Sequence, residues 1–309
     1  MDNHSSDAST TMVRTEFPNV RLIENSQNLG FARANNQGIK EAQGKYVLLL
    51  NSDTIVRPGA IRTMEEFLDS HPEAGAAACR LVYPNGTIQA SIGRQSGPAL
   101  TRQILRLSGI SRVIRSESIR RRLRKYLGFA IGSTARSYLE PYVADGPLEV
   151  ESISGACLML RRQAIDQVGL LDENFFMYLE DLDYCIRLRR SGWKLYYVPA
   201  GEIVHLVGQS SGGRMRKYSV HAYQSLFYFY QKHYSIRTLF VMRLAVLFTM
   251  CIRWTCNFVA AIFSKSPVYR ANRSDLAKVI QLSLRWDGRR QAAFETRQYP
   301  PNSVTTPTK

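Results

Sequence analysis

This chain is short of cysteine, of acidic residues, of internal repeats and of long apolar runs free of charge, and each shortage excludes something. Its five cysteines, Cys79, Cys157, Cys185, Cys251 and Cys256, are an odd number and contain no CxxC pair. That argues against a disulfide framework or a zinc site and fits a reducing compartment. No repeat period is visible, which excludes a solenoid. The first twenty residues are polar, so no signal peptide is expected there. Leu239 to Phe263 is apolar but carries Arg243 and Arg253. A central arginine disfavours a membrane span, and helices lying in or on a membrane interface are expected instead; a buried packing helix is the plainer reading.

Acids number 25 against 41 lysines and arginines, a formal net charge of +16, with a pI near 9.9. Half of that excess falls in Arg102 to Lys125, where nine basic residues face only Glu117. Such a balance implies a polyanionic partner: nucleic acid, an anionic membrane or phosphorylated substrates; a merely solvated basic face is the alternative. Nucleic acid is not expected, because there is no recognition-helix motif and no aromatics interleave with a basic sheet.

What is present is an α/β pattern. The chain of 309 residues, 45% hydrophobic, is large enough for one main domain and an appendage. VRLI at 20–23 reads as a short strand, Asn28 to Ala42 as a helix stopped by Gly44, and YVLLL, Tyr46 to Leu50, as a strand covered on both faces. Pro58 opens a helix running through Ser70. Gly75 to Val82 and Glu149 to Leu160 read as strands and Arg161 to Val168 as a helix. This alternation predicts a mainly parallel sheet, with ligands at the carboxyl ends of its strands. Gly97 to Gly146 is basic and loosely helical, GQSSGGRMRK at 208–217 is a loop, helices follow from Ser219, and the tail is expected to be disordered.

Three places carry candidate chemistry. Asn51-Ser52-Asp53 follows the apolar strand, where a carboxylate can hold a hard divalent cation or simply form a turn. Glu180 and Asp181 open a helix on which Leu182, Cys185, Ile186 and Arg189 share a face. Acids in a first helical turn suit the dipole, but these sit beside FFMYL with Asp183 close by, and crowded carboxylates near apolar walls suit a general base. His205 follows Ile203-Val204 and is a ligand or a structural histidine.

The blocks NLGFARANNQGI, YVLLLNSD, SGACLMLRR, FFMYLEDLDYCIRLRRSGW and IVH, in that order, resemble family 2 glycosyltransferases of the GT-A fold. The rhamnosyltransferase-like enzymes of bacterial cell-surface polysaccharide assembly are the most similar subgroup. The resemblance covers about Asp2 to Leu206. It implies a Rossmann-like α/β domain over 1–207, a helical, membrane-associating region over 208–295 and a disordered tail over 296–309. It implies that Asp53, last acid of a DxD-like motif, coordinates Mg²⁺ or Mn²⁺ on the donor diphosphate, with His205 as a second metal ligand. Asp181 is then the catalytic base with Glu180 beside it on the acceptor side. Asp2, Asn3, Gly30, Arg33 and Asn51 line the nucleotide, and Ser154-Gly155-Ala156 lies beneath the acceptor sugar. Asp183 is read as structural, paired with Arg187 four residues on.

The implied activity is inverting transfer of a sugar, rhamnose from a dTDP-linked donor in that subgroup, to a lipid-linked or polysaccharide acceptor at the cytoplasmic membrane face. The family opens with a strand, a helix and a second strand ending in a VDNxSxD-type turn, whereas this chain opens MDNHSSD. Truncation relative to the family, with the first strands lacking, is therefore expected. A catalytically impaired relative acting as a binding or scaffold protein is the alternative.

Overall fold

A computed structural model describes residues 1–93, 144–207, 220–263 and 267–286. The Arg102–Lys125 segment, the loop at 208–217 and the tail from 296 fall outside the described residues, as does nearly all of the 97–146 insert. In chain order the helices are α1 (Ser9–Glu16), α2 (Phe31–Glu41), α3 (Ala60–Ser70), α4 (Arg162–Val168), α5 (Glu180–Arg190), α6 (Val220–His233), α7 (Ile236–Phe263) and α8 (Pro267–Arg285). The strands are β1 (Tyr46–Leu50), β2 (Thr54–Val56), β3 (Ala74–Val82), β4 (Ile92–Gly93), β5 (Leu148–Val150), β6 (Ser152–Ile153), β7 (Cys157–Arg161) and β8 (Lys194–His205).

The central sheet runs in the order β1-β7-β3-β8-β2, with β5 also on β8. Strands β1, β3 and β8 share one direction, and β3 pairs with β8 in parallel. β7 lies between β1 and β3 and runs against both, while β2 and β5 run against β8. The α/β class is as expected, and the sheet is mixed because β7 enters from the Ser154–Ala156 turn rather than from a crossover helix.

Side chains alternate between the two faces of these strands, so each strand feeds two cores. Val47, Leu49, Ala76, Ala78, Leu158 and Leu160 pack with Ile39 of α2, Ile165 of α4, and Tyr184 and Leu188 of α5. On the other face Ala77, Cys79, Cys157 and Met159 meet Met64, Phe67 and Leu68 of α3. The result is a sheet with helices on both sides, and burying each large aliphatic or aromatic side chain contributes about 1.5–3 kcal/mol.

A third core joins α6, α7 and α8 through Phe227, Phe229, Met242, Val246, Leu276 and Val279. It also takes in Phe175 and Ile186, so α5 and the loop before it are clamped between the sheet and the C-terminal helices.

Two expected strands differ from the structure. Val20–Ile23 forms none: Val20 and Arg21 are exposed, and the nearest pairing is an isolated bridge between Asp2 and Glu24. An apolar tetrapeptide without a neighbouring ladder has no partners for its amides and carbonyls. The run 149–160 is not continuous but breaks at Ser154–Ala156, and that break is where the site forms.

Candidate active site

The NSD turn is fixed by pairing on both sides. Asn51 N–H donates to the Ala156 carbonyl at 3.0 Å, and Leu206 N–H donates to the Asp53 carbonyl at 2.9 Å. Because Thr54 stands opposite His205 in the β2–β8 register, the residue before one and the side chain of the other are brought together. His205 Nε2 lies 3.2 Å from Asp53 Oδ1, with both side chains buried. The other ring nitrogen, Nδ1, is 3.0 Å from Gln89 Oε1, and Asn51 Nδ2 stands 3.5 Å from Nε2.

Asp181 is reached through the turn that precedes β7. Gly155 N–H donates to Asp181 Oδ2 at 2.9 Å, and Leu182 N–H donates to Oδ1 at 2.8 Å. A Cβ on Gly155 would stand 3.2 Å from the Phe31 ring and 3.5 Å from Asp181 Cβ, so the bare backbone is what lets helix and turn close up. Burial raises the Asp181 pKa above the ordinary carboxylate value, against the pull of the Gly155 and Leu182 amides.

Glu180 is buried, and its Oε2 has no hydrogen-bond partner among the described residues. Burial, reinforced by the charge on Asp181, pushes its pKa up to about 8. At neutral pH Glu180 therefore largely holds its proton.

The backbone before α5 is unusual. Tyr178 and Leu179 both take the left-handed conformation, with φ of 73° and 69°. For residues with a Cβ that costs about 1–2 kcal/mol each. The surroundings hold it in place: Ser225 Oγ donates to the Met177 carbonyl at 2.8 Å, and Phe176 stacks on His221 with ring centroids 4.4 Å apart. The Phe176 carbonyl also accepts the amide of Phe31 at 2.7 Å. Gly30 is needed there, since its φ is +83° and a Cβ would fall 2.3 Å from the Phe176 oxygen.

The expected nucleotide-side residues are knitted to one another. Asn3 Nδ2 donates to Asn28 Oδ1 at 2.9 Å and to the Gly30 carbonyl at 3.2 Å, while its Oδ1 accepts the Leu29 amide at 2.9 Å. Asp2 Oδ2 accepts the amides of His4 and Ser5 at 3.1 and 3.0 Å. Arg33 is exposed in the first turn of α2 and pairs with Glu173 at 3.2 Å. The turn at 2–5 and the loop at 28–30 thus form one unit, which Gly30 joins to the loop leading into Glu180.

Asp183 is structural, as expected, and more heavily engaged than its pairing with Arg187 at 2.9 Å alone. Lys232 Nζ and His233 Nε2 of α6 each lie 2.7 Å from its Oδ1. Burial alone would raise its pKa, but these hydrogen bonds and the charges of Arg187 and Lys232 outweigh it and hold the carboxylate below its ordinary value. Lys232 also binds Asp172 at 2.6 Å. Burial there is likewise outweighed, by Lys232, Asn174 and Tyr228, and Asp172 falls to about 2. Neither α6 contact carries a local signal, because 50 residues separate His233 from Asp183.

Asp53 and His205 fit a divalent cation. Gln89 Oε1 can only accept, so it suits a proton on Nδ1, and with a cation bound Nε2 would present its lone pair. That lone pair and a carboxylate oxygen then stand 3.2 Å apart. Two adjacent ligands of an octahedral ion, each about 2.1 Å away, are separated by about 3 Å. Among the described residues no third His, Cys, Asp or Glu joins them, so further ligands would come from substrate or water.

The profile described as glycosyl transferase family 2 matches residues 1–169, and that of glycosyl transferase family group 2 matches 129–272. The N-acetylglucosaminyl-diphospho-decaprenol L-rhamnosyltransferase of Mycobacterium tuberculosis is 31% identical over 222 residues, 68% of this chain and 66% of that protein. The chain thus spans about two thirds of that relative's length. Rhamnosyltransferase WbbL of Escherichia coli K12 is 38% identical over 56 residues, 18% of this chain and 21% of that protein. Among solved structures, the mannosyltransferase PcManGT from Pyrobaculum calidifontis, in complex with GDP-Man and Mn²⁺, is 14% identical with a TM-score of 0.46 over 93% of this chain and 77% of that one. With a family profile matching more than half its length, this chain belongs to glycosyl transferase family 2.

Proposed function

We propose that the protein is an inverting, metal-dependent glycosyltransferase that moves a sugar from a nucleotide diphosphate to a lipid-linked saccharide. One observation carries this reading: the two-residue turn Gly155–Ala156 binds Asp181 through the Gly155 amide and Asn51 of the NSD turn through the Ala156 carbonyl, at 2.9 and 3.0 Å. The base and the cation-binding turn thereby share one end of the sheet. In this reading Asp181 accepts the proton of an acceptor hydroxyl as its oxygen bonds to the anomeric carbon. The bond from that carbon to the diphosphate oxygen breaks on the opposite face, and the electron pair leaves with the diphosphate. A single displacement inverts the anomeric centre. Asp53 and His205 would hold Mg²⁺ or Mn²⁺, which when bound stabilises charge on the departing diphosphate. The two amides on Asp181 orient it, and they favour its ionised form against the burial that opposes it. The mycobacterial relative is named for L-rhamnosyl transfer to N-acetylglucosaminyl-diphospho-decaprenol, which supports a rhamnosyl donor, taken here as dTDP-linked, and a polyprenyl-diphosphate-linked saccharide acceptor.

The C-terminal helices support action at the cytoplasmic face of a membrane. α7 is long and apolar enough, by length and composition, to cross one. Its Leu239, Met242, Val246 and Met250 are buried, while Phe240, Leu244, Phe248 and Ile252 form an exposed apolar row, Phe248 at 69% exposure. Arg243 and Arg253 fall on the buried side, at three- and four-residue spacing from that stripe. Arg243 donates to the Ser283 carbonyl at 2.8 Å near the end of α8. Between Phe240 and Ile252 the row therefore carries no charge, with exposed Arg237 on the same face at its start. Lys278, Gln281 and Arg285 of α8 are exposed and polar. A helix pair with one apolar and one charged flank suits a position in the plane of the interface, against anionic lipid, rather than a span.

A screen of nucleotide-sugar donors against a polyprenyl-diphosphate saccharide, with and without Mn²⁺ or Mg²⁺, tests the activity. Metal-dependent release of dTDP with transfer of rhamnose supports it. No transfer from any donor counts against it.

A further inference from the structure

Gln89 carries no motif, yet it is delivered to the site by a tight hairpin at the end of β3. Tyr83 N–H donates to the Thr87 carbonyl and Gly86 N–H to the Tyr83 carbonyl, both at 2.8 Å, with Gly86 at φ +78°. Gln89 N–H then returns to the Leu81 carbonyl at 2.8 Å, beyond the bridge between Val82 and Ile88. Leu81 and Val82 lie beside Ile203 and Val204 in the β3–β8 register. The side chain of Gln89 therefore starts one strand away from the end of β8, and its Oε1 reaches His205 Nδ1 at 3.0 Å.

We propose that Gln89 is a positioning residue that fixes the tautomer and ring plane of His205, so that Nε2 and Asp53 together face a divalent cation. The inference rests on the cation reading of Asp53 and His205. The physical reason is general: a ring nitrogen that donates to a fixed acceptor leaves the opposite nitrogen as the ligand, and losing such an outer partner typically weakens metal binding 10–100-fold.

The experiment uses the full chain and two readouts that need no turnover. Imidazole ¹⁵N shifts of His205, assigned by difference from His205→Gln, report the tautomer in protein loaded with diamagnetic Mg²⁺. Mn²⁺ titration followed by electron paramagnetic resonance, with and without dTDP, reports affinity. Wild type is expected to show one tautomer with the proton on Nδ1. Gln89→Leu should show a mixture and bind Mn²⁺ about 10–100-fold more weakly, whereas Gln89→Glu, which keeps an acceptor, should stay within about threefold. If Gln89→Leu unsettles the hairpin, Gln89→Met carries the same expectation. An unchanged tautomer and unchanged Mn²⁺ affinity in the Leu or Met variant would overturn the proposal while His205→Gln still weakens binding. Were Asp53→Asn and His205→Gln both to bind Mn²⁺ like wild type, the cation reading itself would fall, and the proposal with it.

Discussion

The amide of Gly155 donates to Oδ2 of Asp181 at 2.9 Å. Because the carbonyl of the following residue, Ala156, accepts the amide of Asn51, two consecutive residues tie the start of α5 to the end of β1. The Phe31 ring beside Gly155 leaves little room for a side chain. The spacing between the acid pair and the NSD turn is thus set by one backbone–backbone bond and one bond from a backbone amide to the Asp181 carboxylate.

Glu180 gives the site a pH dependence with a definite sign. Its folded pKa of about 8 lies above the ordinary value of 4.5. The stability this contributes is fully present below about pH 4.5 and lost as pH rises through about 8. Glu180→Gln, which keeps the shape and cannot ionise, should melt above wild type at pH 9 and close to it at pH 5. Thermal melts across that range check this; a difference independent of pH would contradict the assignment.

Asp183 should behave oppositely and affect folding rather than chemistry. Its lowered pKa means that its contribution is present above the ordinary value of 3.8 and lost as pH falls through the depressed one. Removing one partner of a buried charge cluster costs about 3–5 kcal/mol. Asp183→Ala would leave Arg187, Lys232 and His233 without their shared anion, and should lower stability by that amount in denaturant titration. A loss under about 1 kcal/mol would show the cluster to be dispensable.

Much of this was legible because the relevant signals are local. Apolar runs flanked by turn residues located α2, β1, α3, β3 and α4, and acids beside FFMYL located the start of α5. The Asp183–Arg187 pair follows from four-residue helical spacing alone. What was not legible depends on pairing at a distance. The VRLI run has strand-like composition but no ladder to join. The break at Ser154–Ala156 exists because β5 pairs with β8 and β7 with β1 and β3, and composition does not encode which neighbour a strand selects. Gln89 is 116 residues from His205, Lys232 lies far from Asp183 in the chain, and Arg243 looks like an intruder until α8 covers it.

The exposed row on α7 predicts membrane binding in the plane of the interface. Replacing Phe240, Leu244 and Phe248 together by Gln should release the protein from anionic vesicles in a flotation assay, with little change in thermal stability because none of the three is in the core. Unchanged flotation would remove this face from membrane binding.

Transfer by Asp181→Asn is the most direct test of the central claim. The substitution keeps the side-chain size and removes the proton acceptor, so turnover should fall by about 10²–10⁴-fold. Mn²⁺-dependent nucleotide binding, assigned in the proposed function to Asp53 and His205, should stay within about threefold of wild type. Turnover near the wild-type level in this variant would contradict the account, because the base would then have to be another group.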